Sequence, residues 1–254
     1  GVGASASYVA RPGLTFLGMI RQPLSSTLSD TTRVSDSVLP HVRSDWAEYA
    51  RHSDVQLNTL TAQYLWRPGK DLFARVSAGY LEEMFGGVSA ELLWYPTDSR
   101  FAVGAEINYV KQRDFDMLFG FQDYDVVTGH ASMYYNMPGD YHLQIDTGRY
   151  LAGDIGVTFG LDREFNNGFK VGAFATLTNV SATDFGEGSF DKGIRFEVPL
   201  SWITGKSSKT RLRQVIRPIL RDGGARLSVP NRLYNYTREA RADRIFGQWG
   251  RFYR

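Results

Sequence analysis

Histidine and serine stand two residues apart at His130 and Ser132, in a stretch whose alternation predicts a β-strand. Side chains at i and i+2 share one face of a strand, so this imidazole and hydroxyl would lie side by side. With a carboxylate to orient the ring, such a pair is the arrangement that serine hydrolases use. Glu91, Glu106 and Asp146 are acids that neighbouring strands would supply. The spacing therefore allows a lipid hydrolase as an alternative function.

Other signs of catalysis are missing from the sequence. A histidine two residues from a serine arises readily by chance in 254 residues. The chain has no Walker loop, no GxSxG, no HExxH and no dinucleotide-binding fingerprint. It has no cysteine, which excludes disulfides, thiolate metal sites and a cysteine nucleophile. We therefore expect a protein that is not an enzyme and has no catalytic residues, no metal and no cofactor.

Acidic and aromatic residues are mixed between positions 111 and 126, where Phe115, Phe121 and Tyr124 accompany Asp123. Sugar-binding surfaces combine rings that stack on pyranoses with carboxylates that accept hydrogen bonds from hydroxyls. These four residues are therefore candidates for contact with a glycan. The same composition fits a solvated acidic loop with a small aromatic core, and its acids match no calcium-loop spacing.

The net charge of +2 conceals two oppositely charged regions. Residues 206–254 hold 13 of the 29 Lys and Arg and only three acids, giving +10, whereas the first 205 residues carry −8. Such asymmetry predicts a basic segment that meets something anionic, or the acidic part of the same chain. No nucleic-acid-binding motif accompanies the basic segment, so we do not expect a nucleic-acid partner.

The elements that must position these residues are predicted by an alternation of period two. In 101–110, for example, Val103, Ile107 and Tyr109 alternate with Glu106 and Asn108. The other clear strands are 72–80, 154–162, 169–177 and 194–200, and weaker ones are 14–20, 56–66, 86–95, 127–135, 140–149, 210–219 and 224–230. The chain is thus predicted to be all-β, with about twelve antiparallel strands of roughly 7–12 residues, a length that suits tilted membrane strands.

Connection lengths and aromatic positions favour a transmembrane β-barrel. Many strands carry an aromatic near one end of the apolar row, as in the aromatic girdles of membrane barrels. Short turns alternate with long connections: the short ones are 67–70, 95–98, 137–140, 165–168 and 204–206, and the long ones are 21–55, 111–126 and 179–192. This arrangement is typical of bacterial outer-membrane barrels and would place both chain ends on the periplasmic rim. A soluble β-sandwich is the alternative that shares the alternation.

The polar face of the predicted strands would line the barrel lumen. Its principal candidates are Arg75, Glu91, Glu106, Asn108, Asp146, Asp154, Arg195 and Glu197. About twelve strands leave a narrow interior, and mixed charges at that width form salt bridges. We therefore expect a narrow channel, or a lumen closed by the long 21–55 segment.

Two segments have helical patterns. Residues 41–52 place apolar side chains at helical spacing within the first long connection, so 21–55 would act as a plug-like loop with a short helix. Residues 237–250 predict a basic amphipathic helix. We accordingly divide the chain into a barrel, 1–235, and a periplasmic basic tail, 236–254. That tail would contact an envelope partner or the membrane surface, or pack under the barrel rim.

Several runs carry a family resemblance. They include Leu39–Trp46, Arg75–Glu82 with Met84–Gly87, Gly104–Val110, Gly120–Tyr124, Gly148–Asp154, Phe165–Gly168, Gly193–Phe196 and Arg221–Leu227. Together they resemble the YjbH/GfcD-like outer-membrane proteins of exopolysaccharide and capsule biosynthesis. Family members are longer, so the chain resembles their C-terminal barrel portion. Without a signal peptide at Gly1, we expect a processed chain or a fragment.

The resemblance implies a non-catalytic role in exopolysaccharide or capsule export or surface assembly, in the bacterial outer membrane. It implies outer-membrane lipid as a partner and polysaccharide as a candidate partner, and it carries over no catalytic residues. A lipid hydrolase using His130 and Ser132, and a small-solute channel, are the alternative functions.

Overall fold

Twelve β-strands form one antiparallel sheet in which each strand pairs with its neighbours in sequence. The computed structural model describes residues 2–23, 37–51, 55–165, 167–181, 184, 190–205, 211–217 and 222–242. The strands are β1 Val2–Arg11, β2 Leu14–Gln22, β3 Gln56–Gly69, β4 Leu72–Tyr80, β5 Phe85–Trp94, β6 Phe101–Arg113, β7 Phe121–Met137, β8 Tyr141–Arg149, β9 Ile155–Glu164, β10 Lys170–Thr178, β11 Asp191–Pro199 and β12 Arg211–Ile216. The helices are α1 Trp46–Arg51, α2 Leu200–Thr204 and α3 Leu233–Glu239.

The all-β prediction is confirmed. The predicted number of strands agrees with the structure only because two errors cancel. Strand β1 was not predicted, because its small residues alternate weakly, although Pro12-Gly13 supplies a turn with Gly13 at φ 84°. Conversely, the predicted strand at 224–230 belongs to no sheet. As a result β1 begins, and β12 ends, at the rim of the long connections. The prediction that both chain ends lie on the short-turn rim is therefore wrong for the start of β1, whereas the residues after β12 return the chain to the short-turn rim at Arg241.

The two faces of the sheet differ in polarity and burial. On β6, Ile107 and Tyr109 are more than half exposed, whereas Glu106 and Asn108 are buried. Other strands repeat this pattern, with exposed apolar rows on the outer face and buried polar rows on the inner face. This is the reverse of a water-soluble sheet, whose apolar face is the core. Among the described residues, no helix has the length and apolar composition needed to cross a membrane.

Two apolar clusters lie inside the curve of the sheet, one near each rim. The first, at the rim of the long connections, contains Val42, Tyr49, Leu81, Phe85 and Leu151. The second, at the short-turn rim, contains Leu93, Tyr95, Ala102, Tyr134, Leu233 and Tyr234. Buried charged residues occupy the level between them.

The helices differ from their predicted positions. Helix α1 covers only the second half of the predicted 41–52 helix, and His52 lies outside the described residues. Helix α3 begins at Leu233, inside the curve of the sheet, whereas the tail helix was expected at about 237–250. Residues 243–254 of that tail lie outside the described residues.

Candidate functional site: the C-terminal segment inside the sheet

Residues 222–241, here called the strap, cross the interior from one rim to the other. At the long-connection rim, Asp222 accepts hydrogen bonds from the backbone N–H groups of Arg43 (2.8 Å) and Ser44 (2.9 Å). At the opposite rim, Arg241 donates to the carbonyl oxygens of Pro96 (2.9 Å) and Ser99 (3.1 Å) in the turn between β5 and β6. The sheet thus wraps around a segment of its own chain.

The first half of the strap is extended, and residues of the long-connection rim and of the inner face satisfy its backbone. The N–H of Gly224 donates to Asp154 Oδ2 at 2.8 Å, and the N–H of Ser228 donates to Glu82 Oε2 at 2.8 Å. Gln63 Nε2 donates to the carbonyl of Pro230 at 2.9 Å. Buried backbone groups need such partners. Here side chains supply much of what a neighbouring strand would supply.

This explains why the 224–230 alternation suggested a strand. An extended segment alternates whether or not it belongs to a sheet. Ala225, Leu227 and Val229 pack into the apolar cluster at the long-connection rim. Arg226, between them, reaches the carboxylates in the middle of the interior.

Ion pairs hold the middle of the strap. Arg226 Nη1 lies 2.8 Å from Asp146 Oδ2, and its Nη2 lies 3.6 Å from Glu106 Oε1. Arg232 binds Glu106 with two nitrogens, at 2.9 Å and 3.0 Å. Burial alone would lower the pKa of Arg226, but Asp146 and Glu106 raise it above its usual value. The guanidinium therefore stays charged inside the protein.

Arg75 extends this network across the sheet. It is fully buried and donates to Glu91 at 2.9 Å, Ser77 at 2.8 Å and Ser89 at 3.2 Å. Glu91 in turn accepts the backbone N–H of Leu233, at the start of α3, at 3.1 Å. Several hydrogen bonds per carboxylate are what make buried charges tolerable.

Aromatic stacking and one further ion pair fix α3. The ring of Tyr234 stacks on Tyr134 at 3.8 Å with an interplanar angle of 8°, and its hydroxyl donates to Asn136 at 3.0 Å. Arg238 donates to Glu164 at 3.0 Å and also contacts His142. Helix α3 is therefore anchored to the inner face through two successive turns.

The residues predicted to face the interior all lie on or beside the inner face. Arg75, Glu91, Glu106 and Asp146 join the network around the strap, with Asn108 bonded to Glu106 at 3.3 Å. Asp154 accepts from the N–H of Gly224 and so holds the strap nearer the long-connection rim. Arg195 and Glu197 lie apart from the strap: Arg195 pairs with Asp162 at 3.0 Å, and Glu197 pairs with Arg213 at 3.3 Å and Arg211 at 3.5 Å.

The glycan-contact candidates do not share one surface. The Tyr124 hydroxyl donates to the Leu151 carbonyl at 2.6 Å, and Phe115 packs edge-on against Tyr49, so both rings help to cover the rim. Phe121 and Asp123 are exposed on the opposite face of β7. The connection between β6 and β7 spans only 114–120, because both strands are longer than predicted.

His130 and Ser132 lie on the inner face as expected, but they are not hydrogen-bonded to each other. Ser132 Oγ donates directly to Asp146 Oδ1 at 2.5 Å. Neither ring nitrogen of His130 has a partner within the described residues, and its ring packs edge-on against Tyr150. Within the residues that the structure describes, no three His, Cys, Asp or Glu side chains are grouped to hold a metal ion.

Sequence reasoning did not identify the strap residues that organise the interior. Chief among them are Asp222, Arg226, Arg232, Tyr234 and Arg238. The charge asymmetry was their available signal, because it left open that the basic segment meets the acidic part of the same chain. The structure shows this arrangement for Arg226, Arg232 and Arg238 of the strap.

Fold and site together define a class of protein: an all-β chain whose antiparallel sheet is apolar outside and charged inside, with its own residues 222–241 crossing the interior. The chain belongs to the YjbH family, described as exopolysaccharide biosynthesis protein YbjH, whose family model matches residues 1–239. The resemblance inferred from the sequence runs is therefore confirmed.

A similar protein from Escherichia coli supports the same assignment. The chain is 41% identical over 213 residues to the "uncharacterized lipoprotein YjbH" of Escherichia coli strain K12. The match covers 82% of this chain and 30% of that protein, so the chain spans less than a third of the relative's length. No solved structure matches the chain significantly.

Proposed function

We propose that this chain forms an outer-membrane β-barrel that takes part, without catalysis, in the export or surface assembly of an exopolysaccharide. Membership of an exopolysaccharide biosynthesis family supports a role in making or delivering such a polymer. The relative's description as a lipoprotein supports a place in the cell envelope.

The apolar outer face and the charged inner face of the sheet support the proposal that it spans a membrane. Val76, Leu92, Ile107 and Leu161 are each more than a third exposed on the outer face, while charged side chains are buried inside. A row of exposed apolar side chains is costly in water and favourable against lipid chains. Tyr64 and Trp66 add rings near one end of β3, where membrane interfaces favour them.

The strap favours a closed interior over an open conduit. It is bonded to both rims and crosses the level of the buried ion pairs. A thick polymer therefore has no free path beside it, and the protein would act on the polymer at a surface or through partners. A planar-bilayer measurement checks this: we expect no steady conductance, and large stable channels would contradict a strap that blocks the interior.

A substitution on the outer face tests the membrane placement. Ile107→Arg puts a charge at the middle of β6, which costs about 2–4 kcal/mol against lipid and is neutral or helpful in water. We expect this variant to be lost from the outer-membrane fraction. Asp98→Arg, in the short turn after β5, is the matched control and should fractionate like the wild type. Normal outer-membrane recovery of Ile107→Arg would argue for a water-exposed sheet.

A deletion strain tests the role in exopolysaccharide production. We expect altered amounts of secreted or surface-retained polysaccharide, restored by the natural gene. Normal secretion together with normal surface retention would overturn the proposed role.

A further inference from the structure

A cavity of about 860 Å³ remains beside the strap, between its flank and the inner side of β2, β3 and β12. Five arginines line it: Arg43, Arg213, Arg217, Arg226 and Arg232. Tyr236, on the side of α3 that faces away from Tyr134, lines it as well and is 60% exposed.

Most of these arginines are held by carboxylates that do not line the cavity. Arg226 and Arg232 are bound by Glu106, and Arg217 Nη1 lies 2.8 Å from Asp191 Oδ2. Glu106 and Asp191 are both buried. These two carboxylates hold the guanidinium groups in place and do not themselves line the cavity. Three glutamates do line it, so cations outnumber acids by five to three.

One of the arginines keeps an accessible guanidinium toward the cavity. Arg213 meets Glu197 through Nε at 3.3 Å, and its side chain is 63% exposed. Guanidinium groups match carboxylates because they present parallel donors in one plane.

We propose that this cavity is a binding site for a carboxylate-bearing saccharide, such as a short stretch of a uronic acid polymer. The arginines would take the carboxylates, Tyr236 would stack on a sugar ring, and Asn231 and Asn235 at the cavity wall would bond to hydroxyls. The volume falls within the roughly 300–1,000 Å³ of small-molecule sites. The choice of a saccharide rests on the proposed function, whereas the preference for an anion rests on the arginines.

Titration calorimetry on the full chain in detergent micelles tests the site. The probes are tetragalacturonate, which carries carboxylates, and maltotetraose, a neutral oligosaccharide of equal length. We expect binding of tetragalacturonate only, weakening as sodium chloride rises because exposed charges are screened. Detergent-solubilised lipid A tests whether the arginines instead select a lipid phosphate.

Two variants locate the binding. Arg213→Gln should raise the Kd about tenfold, as expected for one lost charge-assisted hydrogen bond. Tyr236→Ala should raise it roughly three- to tenfold through lost stacking. Both side chains are exposed, so the fold should survive. Arg67→Gln, an exposed arginine outside the cavity, is the matched control and should leave the Kd unchanged.

The outcomes separate this site from the proposed function. Equal binding of both oligosaccharides, no binding of tetragalacturonate, preference for lipid A, or unchanged Kd values in the cavity variants would each overturn the site. The deletion phenotype would then still decide the role in exopolysaccharide production. Conversely, a strain with normal polysaccharide would refute that role even if tetragalacturonate bound as expected.

Discussion

Truncation of Tyr234 should loosen the strap and lower the stability of the whole chain. Its side chain is buried, it stacks on Tyr134 at 3.8 Å, and its hydroxyl donates to Asn136 at 3.0 Å. Burial raises the pKa of Tyr234 above its usual value, so the hydroxyl stays protonated and keeps donating at neutral pH. Tyr236, two residues on, is 60% exposed and provides an internal comparison.

The magnitude follows from what each substitution removes. Tyr234→Phe deletes one buried hydrogen bond and should cost about 1 kcal/mol. Tyr234→Ala also removes the stacked ring from a packed site and should cost about 3–5 kcal/mol. Tyr236→Ala removes an exposed ring and should change the free energy of unfolding by less than about 0.5 kcal/mol. Tyr236→Ala thus serves as a stability control here, although it should weaken tetragalacturonate binding.

Guanidinium unfolding of the chain in detergent micelles, followed by fluorescence of its five tryptophans, measures these differences. Hydrogen exchange of residues 222–241 shows whether the strap detaches before the sheet unfolds. The reasoning would be refuted if Tyr234→Ala and Tyr236→Ala had equal effects. It would also fail if Tyr234→Ala stayed within about 0.5 kcal/mol of the wild type, since that value suits a surface position.

Three further predictions address charge, backbone and chemistry. Burial raises the pKa of Asp154, so ionisation of this carboxyl lowers the stability of the fold as pH rises through the folded-state pKa. Asp154→Asn should therefore equal or exceed the wild type in stability at pH 7, and the difference between the two proteins should close below the ordinary pKa of 3.8. Lower stability of Asp154→Asn at pH 7 would contradict this. Gly79 has φ 128°, and a Cβ there would lie 2.2 Å from the Leu60 carbonyl oxygen. Gly79→Ala should therefore lower the free energy of unfolding by more than about 1 kcal/mol. Gly18→Ala, where a Cβ has room, should lower it much less in the same unfolding assay. Ser132→Ala should leave lipid A and phospholipid profiles unchanged by mass spectrometry, and a changed profile would revive the hydrolase alternative.

Every strand except β1 could be predicted from the sequence, because the side chains of a strand with one apolar and one polar face alternate in polarity. Strand β6 illustrates this, since Ile107 and Glu106 emerge on the expected opposite faces. The short turns were also predictable, because residues such as Pro138 and Gly139 favour tight reversals and Gly139 adopts φ 78°.

The strap was not predictable by the same means. Arg226 and Leu227 alternate as they would in a strand, and only their partners, distant in sequence, reveal an isolated extended segment. The Asp222 carboxylate and the Gly224 N–H likewise depend on residues far along the chain. The distribution of charge along the sequence showed that basic and acidic regions exist, but it does not specify which side chains meet.

The order of the chain gives the strap a consequence for assembly. Its bonds close very long loops, because Asn231 meets Gln63 across 168 residues and Asp222 meets Arg43 across 179. Contacts so distant in sequence form slowly, since loop-closure entropy is lost before they contribute stability. The network also joins strand residues to the strap, so Arg75 and Glu106 lack part of it until Arg226 and Arg232 dock. The late docking of the strap is therefore the step at which maturation of this protein is most easily delayed.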